Sequence, residues 1–176
     1  MVTIDTLFME GSAVSMELKQ TGNIIIPEND EAIRQTIYRK DNFLLLMVSD
    51  GCDNCTNLIE QIYKKRNPLS RYLSQYMTEL HIINAQERRY EETKNNYLLK
   101  AKDIFQGRGE VQRFPIVYPH NNAGLINNEV TNTWTYKGLC DVISRSYVQD
   151  QEPINKPLTE RIYSLFKNGK DKKNTR

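Results

Sequence analysis

The sequence predicts an α/β domain with an extension at each end, and three features carry that reading. The run Phe43-Leu44-Leu45-Leu46-Met47-Val48 is wholly apolar, the signature of a strand buried on both faces. Apolar residues recur at helical spacing before this run, directly after it, and again between Tyr90 and Phe105 and between Leu139 and Tyr147. A proline-initiated apolar run, Phe114 to Tyr118, leads into the turn-rich Asn121-Asn122-Ala123-Gly124. Strands that alternate with amphipathic helices in this way belong to layered α/β architectures.

The elements follow in order. Residues 1–22 mix short apolar pieces with Gly11, Ser12, Ser15 and Gly22 without a clean period, and read as an N-terminal arm. Asn23 to Ile26 is a β-branched strand stopped by Pro27, and Asn29-Asp30 caps a helix that turns Ile33 and Ile37 inward. After the buried run, Leu58, Ile59, Ile62 and Tyr63 mark a second helix, broken at Asn67-Pro68, beyond which Leu69, Leu73, Tyr76 and Leu80 continue an apolar stripe. His81 to Asn84 is a short strand, and Glu87 to Phe105 a helix ended by Gly107 and Gly109. Thr131 to Tyr136, with Trp134, is the expected hairpin partner of the Pro115 strand, and Gly138 precedes a last helix. The domain therefore spans 23–149. Residues 150–176 form a C-terminal extension in which Pro153 and Pro157 bracket a linker, Leu158 to Phe166 a short helix, and Lys170 to Arg176 a basic tail.

Composition narrows the function. With 176 residues and 39% hydrophobic content, the chain can bury a core without staples. Its 24 basic and 22 acidic side chains are too balanced for a dedicated nucleic-acid binder, whose affinity rests on neutralising many phosphates. The six-residue apolar run at Phe43 falls far short of the ~20 residues needed to span a bilayer. Three cysteines are too few for a secreted disulfide scaffold. The first twenty residues carry Asp5, Glu10 and Glu17 against Lys19, with neither a signal peptide's charged and apolar regions nor an Arg-rich presequence. The expected location is intracellular, in the cytoplasm or in mitochondria after import without cleavage.

The chemistry sits at the end of the buried strand, where Ser49-Asp50-Gly51-Cys52-Asp53-Asn54-Cys55 turns into a helix. This Cys-x-x-Cys turn, the order of elements, Pro115 at the start of its strand, and the hairpin followed by Gly138 and a closing helix together resemble the thioredoxin fold over residues 22–148. The resemblance implies a mixed central sheet flanked by helices, a cis Phe114-Pro115 peptide facing the cysteines, and Cys52 as the attacking thiolate with Cys55 resolving the mixed disulfide. A helix N-terminus favours such a thiolate, because its free amides and dipole place positive potential on the sulfur.

The sequence also departs from the active pattern. Gly51 stands where a tryptophan precedes the first cysteine, Asp53-Asn54 where Gly-Pro separates the two, and Leu46 where a buried aspartate assists proton transfer. Asp50 and Asp53 place like charges beside the nucleophile, and Phe114 is bulky enough to cover the sulfurs. The stretch from Pro68 to Arg113 is ~20 residues longer than a minimal domain needs. The pair can therefore be a static disulfide on an inherited scaffold or a turning-over redox centre. A zinc site would require Cys140 and one of His81 or His120 to join the pair. Cys140 otherwise reads as a small core residue, Trp134 as a core or interface aromatic, and no cofactor motif is present. The leading expectation is an accessory subunit of a protein assembly, docked through its two extensions and retaining a weak or vestigial Cys52-Cys55 pair. The alternative is a free thiol-disulfide oxidoreductase.

Overall fold

A computed structural model describes residues 17–64 and 69–147. The elements run β1 (Ile24–Ile25), α1 (Asp30–Arg39), β2 (Phe43–Val48), α2 (Asp53–Tyr63), α3 (Leu69–Gln75), β3 (Glu79–Asn84), a 3-10 turn (Arg88–Tyr90), and α4 (Glu91–Gly107). They continue through β4 (Ile116–Asn121), β5 (Gly124–Leu125), a 3-10 turn (Asn127–Glu129), β6 (Thr131–Asn132) and α5 (Tyr136–Ser146). The break expected at Asn67-Pro68, residues 1–16 of the arm, and the whole C-terminal extension with its linker, helix and basic tail lie outside the described residues.

The strands form one mixed sheet in the order β1-β3-β2-β4-β5, with β6 also paired to β4. β1, β3 and β2 are mutually parallel, whereas β4 runs antiparallel to β2, β5 and β6. All six residues of β2 are buried, so helices cover both faces of the sheet, as the unbroken apolar run required. α1 packs against α4, and α2 against α5. This succession of elements, with the Cys-x-x-Cys turn after the central parallel strand and Pro115 before the antiparallel one, is the thioredoxin fold.

Local chemistry explains the boundaries. Asn29 Oδ1 accepts from the Ala32 amide at 3.1 Å and caps α1, an interaction worth about 1 kcal/mol. Thr36, not Ile37, turns inward on this helix: its hydroxyl returns to the Ala32 carbonyl at 3.0 Å and needs no further partner, while Ile37 lies half out. The arm's last residues rest on the domain, with Leu18 against the core and the Lys19 backbone bonded both ways to the Tyr63 hydroxyl.

Four further expectations change. The hairpin partner of β4 is Gly124–Leu125; Thr131–Asn132 forms only a two-residue ladder beside Ile116 and Val117. Pro119 does not end β4, because a strand position whose amide is not needed tolerates proline, and it pairs with Leu44 in the register. α5 starts earlier than Gly138: Thr135 caps it by accepting from the Gly138 amide at 3.0 Å, and Thr133 crowds that glycine so closely that a Cβ there would sit 2.5 Å from its hydroxyl. Trp134, on the bend between β6 and α5, is 47% exposed and so is not a core aromatic.

Candidate functional site

The two parallel strands β2 and β3 end in register, Val48 opposite Asn84, and the chain leaves β2 through Ser49-Asp50-Gly51. Gly51 has φ +72°, the left-handed region that a side chain disfavours, and this turn delivers Cys52 to the N-cap position of α2. Cys55 lies one helical turn on, fully buried, held by the same apolar face that buries Leu58, Ile59 and Ile62. Cys52 is half-buried.

The two sulfurs are joined as a disulfide, with the Cα atoms 5.2 Å apart. The Cys55 amide points at Cys52 Sγ from 3.2 Å, the capping contact that would stabilise a thiolate there. On the other side, Cys52 Sγ stands 3.7 Å from the carbonyl oxygen of Phe114, so the reduced thiol can donate to it. The Phe114-Pro115 peptide is cis, in agreement with the sequence expectation, and both residues are buried. The structure thus brings Cys52, Cys55 and the Phe114-Pro115 segment together. Asn132 secures that segment by accepting from the Arg113 amide and donating to the Val111 carbonyl, and the Thr133 amide bonds the Pro115 carbonyl at 3.2 Å.

Leu46 occupies the middle of β2, fully buried between Ile82 and Val117, so the strand beneath the sulfurs offers no carboxylate for proton transfer. Asp53 heads α2 and is exposed, while the Asp50 carboxylate accepts from Asn84 Nδ2 at 2.8 Å. The Gln86 side chain reaches Ser49 Oγ and the Asp50 carbonyl, each at 3.3 Å. Asn84 and Gln86 were not legible as site residues from sequence. The available signal was a polar pair closing a buried strand that neighbours the strand leading to the cysteines.

The other residues considered for chemistry stand elsewhere. His81 and His120 both contact the Phe43 ring, at centroid distances of 5.2 and 4.3 Å. Cys140 is half-buried on α5, where burial raises its thiol pKa, and it packs against the core from its margin rather than lying within it. Among the described residues no group of three or more His, Cys, Asp or Glu side chains could hold a metal ion, and no helix is long and apolar enough to cross a membrane. A cleft of about 740 Å³ among Asn23, Asn42, Thr78, Glu79 and Tyr147 lies at the opposite end of β2 from the sulfurs.

No protein-family model and no curated protein sequence matches the chain. Among solved structures it is similar to a candidate oxidoreductase with a thioredoxin fold, at 12% identity and a TM-score of 0.47, over 69% of this chain and 94% of that one. It is also similar to a mutant thioredoxin from Halobacterium salinarum NRC-1, at 12% identity and a TM-score of 0.49, over 77% of this chain and 99% of that one.

Proposed function

We propose that the protein carries out thiol-disulfide exchange through Cys52 and Cys55, at a low rate. The observation that supports this most directly is the asymmetry of the pair. Cys52 is half-buried at a helix N-cap beside the Phe114 carbonyl, and Cys55 is fully buried behind it. In the reductive direction the Cys52 thiolate attacks one sulfur of a substrate disulfide, forming a mixed disulfide and releasing one substrate thiolate. The Cys55 thiolate then attacks Cys52 Sγ, closing the Cys52-Cys55 disulfide and releasing the second substrate thiolate. Two electrons pass to the substrate, the released thiolates take protons from water, and an external dithiol restores the pair. The low rate follows from Leu46, because Cys55 must lose its proton without a carboxylate on the strand beneath it.

A second reading favours an accessory subunit of a larger assembly, in the cytoplasm or the mitochondrion, with the domain at 23–149 as a docking block. Tyr38, Leu99, Val111 and Trp134 are large apolar side chains more exposed than buried, or nearly so, at 78, 57, 64 and 47%. In this reading residues 1–22 and 150–176 are the segments that contact other chains.

An insulin-reduction assay with dithiothreitol as the terminal reductant, run beside native sizing in cell extract, tests both readings. Turnover that Cys52→Ser abolishes, in a chain running near 20.6 kDa, supports the exchange protein. Absence of turnover in a chain running far above that mass supports the subunit and overturns the exchange reading.

A further inference from the structure

We propose that Asn84 and Gln86 are positioning residues for Cys52: they clamp the Ser49-Asp50-Gly51 turn so that the Asp50 carboxylate is held beside the attacking sulfur and sets how readily it ionises. This rests on the exchange reading above and adds a tuning element to it.

The clamp is built from the end of β3. Asn84 is 3% exposed, and a buried amide is costly unless its donors and acceptor are engaged. Its Nδ2 donates to Asp50 Oδ2 at 2.8 Å, and its Oδ1 accepts from the Gln86 amide at 3.1 Å. That second bond folds the chain so that Gln86 Nε2 reaches back to Ser49 Oγ and the Asp50 carbonyl. The Ala85 amide adds a backbone bond to the Val48 carbonyl at 2.8 Å, extending the β2–β3 ladder past the last paired residues. Four contacts therefore tie the β3 exit to the three residues from Val48 to Asp50.

Asp50 is two residues before Cys52 on the same turn, so the two Cα atoms are at most about 7 Å apart. A negative charge on so near a neighbour in the chain disfavours a thiolate. An amide that donates to the carboxylate fixes its direction. Cys52 thus has opposing influences: the α2 N-terminus and the Cys55 amide favour its thiolate, and the clamped carboxylate opposes it. Other charged groups on neighbouring segments include Asp53, Glu60 and Lys64 on and after α2, Arg88 beside the Glu87–Arg89 pair after the clamp, Arg113 before Phe114, and Lys137 near the start of α5. Only Asp50 among these is held by a buried side chain at the turn itself.

The test is the pH profile of Cys52 alkylation by iodoacetamide in the reduced full-length protein, read by mass spectrometry, with thermal unfolding alongside. Asp50→Asn should lower the midpoint by about half a pH unit or more, consistent with loss of one nearby charge. Asn84→Ala should lower it in the same direction by less, because the carboxylate remains but is no longer held. Asp50→Glu should return the midpoint toward that of the wild type. Midpoints of Asp50→Asn and Asn84→Ala equal to the wild type, with reduced thermal stability, would make the clamp purely structural and overturn the proposal. Should Asn84→Ala not fold, Asp50→Asn and Asp50→Glu decide alone. An exchanging pair with an unmoved midpoint overturns this inference only, whereas a wild-type Cys52 that neither alkylates nor exchanges overturns the exchange reading as well.

Discussion

The imidazole of His120 stacks on the ring of Phe43, with centroids 4.3 Å apart and planes 10° from parallel. This contact joins β4 to β2 deep in the sheet, and every polar atom of the histidine is engaged around it. Its Nδ1 donates to the Tyr118 carbonyl at 2.9 Å, which leaves Nε2 to accept from the Tyr97 hydroxyl at 2.7 Å. A proton on Nε2 would force the Tyr97 hydroxyl to turn and accept, and would place a positive charge in the core.

Acid should therefore unfold the domain through His120. Burial is the main cause that lowers its pKa to about 4, with the charge of Lys100 and the neighbouring His81 acting in the same direction and the Tyr118 carbonyl opposing. An unfolded histidine titrates near 6.5, so below that pH the unfolded chain binds the proton that the folded chain refuses. The stabilisation is complete above about pH 6.5 and is lost as pH falls toward 4, on the order of 3 kcal/mol in all. His81 is lowered by burial too and adds in the same direction, partly offset by Glu79. Urea midpoints at pH 7 and pH 4.5 should separate clearly in the wild type, and the separation should shrink in His120→Gln. An equal separation in both would place the acid sensitivity elsewhere.

Tyr147 should prove the strongest single tie between α5 and the sheet. Its hydroxyl, buried at the C-cap, shares its proton between the carbonyls of Phe43 at 2.7 Å and His120 at 3.0 Å, and accepts from the His120 amide at 3.2 Å. Tyr147→Phe keeps the ring and deletes these bonds. A loss of about 1–3 kcal/mol is expected from chemical denaturation, with the exchange chemistry of Cys52 unchanged. A loss below 0.5 kcal/mol, on the order of a surface substitution, would show that water replaces the hydroxyl.

What the sequence reveals and conceals follows a physical division. Phe43 to Val48 could be read as a central strand because burial on both faces leaves an unbroken apolar run, and Asn29 could be read as a cap because its role is local. The cysteine turn was legible for the same reason: a buried strand, a glycine and a helix stripe follow one another between Phe43 and Tyr63. The hairpin partner was not. A two-residue strand such as Gly124–Leu125 carries no period, so the more apolar Thr131 to Tyr136 attracted the assignment. Asn84 and Gln86 were hidden because their partners, Asp50 and Ser49, are more than thirty residues away and only the parallel register of β2 and β3 unites them.

Cys55 should trap the exchange intermediate when removed. In Cys55→Ser the Cys52 thiolate can still attack an outside disulfide and release one of its thiolates, but the buried resolving thiol is gone. Incubation with oxidised glutathione should leave one glutathione per chain on Cys52, by mass spectrometry, whereas wild type should return to the internal disulfide. Because Cys55 packs against the core, the serine variant should also lose about 1 kcal/mol or more of stability. Modification appearing on Cys140 instead of Cys52 would reverse the assignment of the nucleophile.

Asp53→Pro should make Cys52 more reactive. Asp53 is the first residue of α2, where proline is well accepted because its missing amide has no intrahelical partner and its fixed φ suits the helix. The substitution keeps the helix start and removes a carboxylate directly after the nucleophile, so the dipole and the Cys55 amide act on the thiolate with less opposition. Asp53 is exposed, which screens its charge, so a downward shift of a few tenths of a pH unit in the alkylation midpoint is expected, smaller than the shift for the clamped Asp50. Combining Asp53→Pro with Asp50→Asn should lower the midpoint further than either change alone, since each removes a carboxylate beside the same sulfur. An unchanged midpoint in Asp53→Pro, with helix content retained by circular dichroism, would show that solvent already screens the first turn of α2 completely.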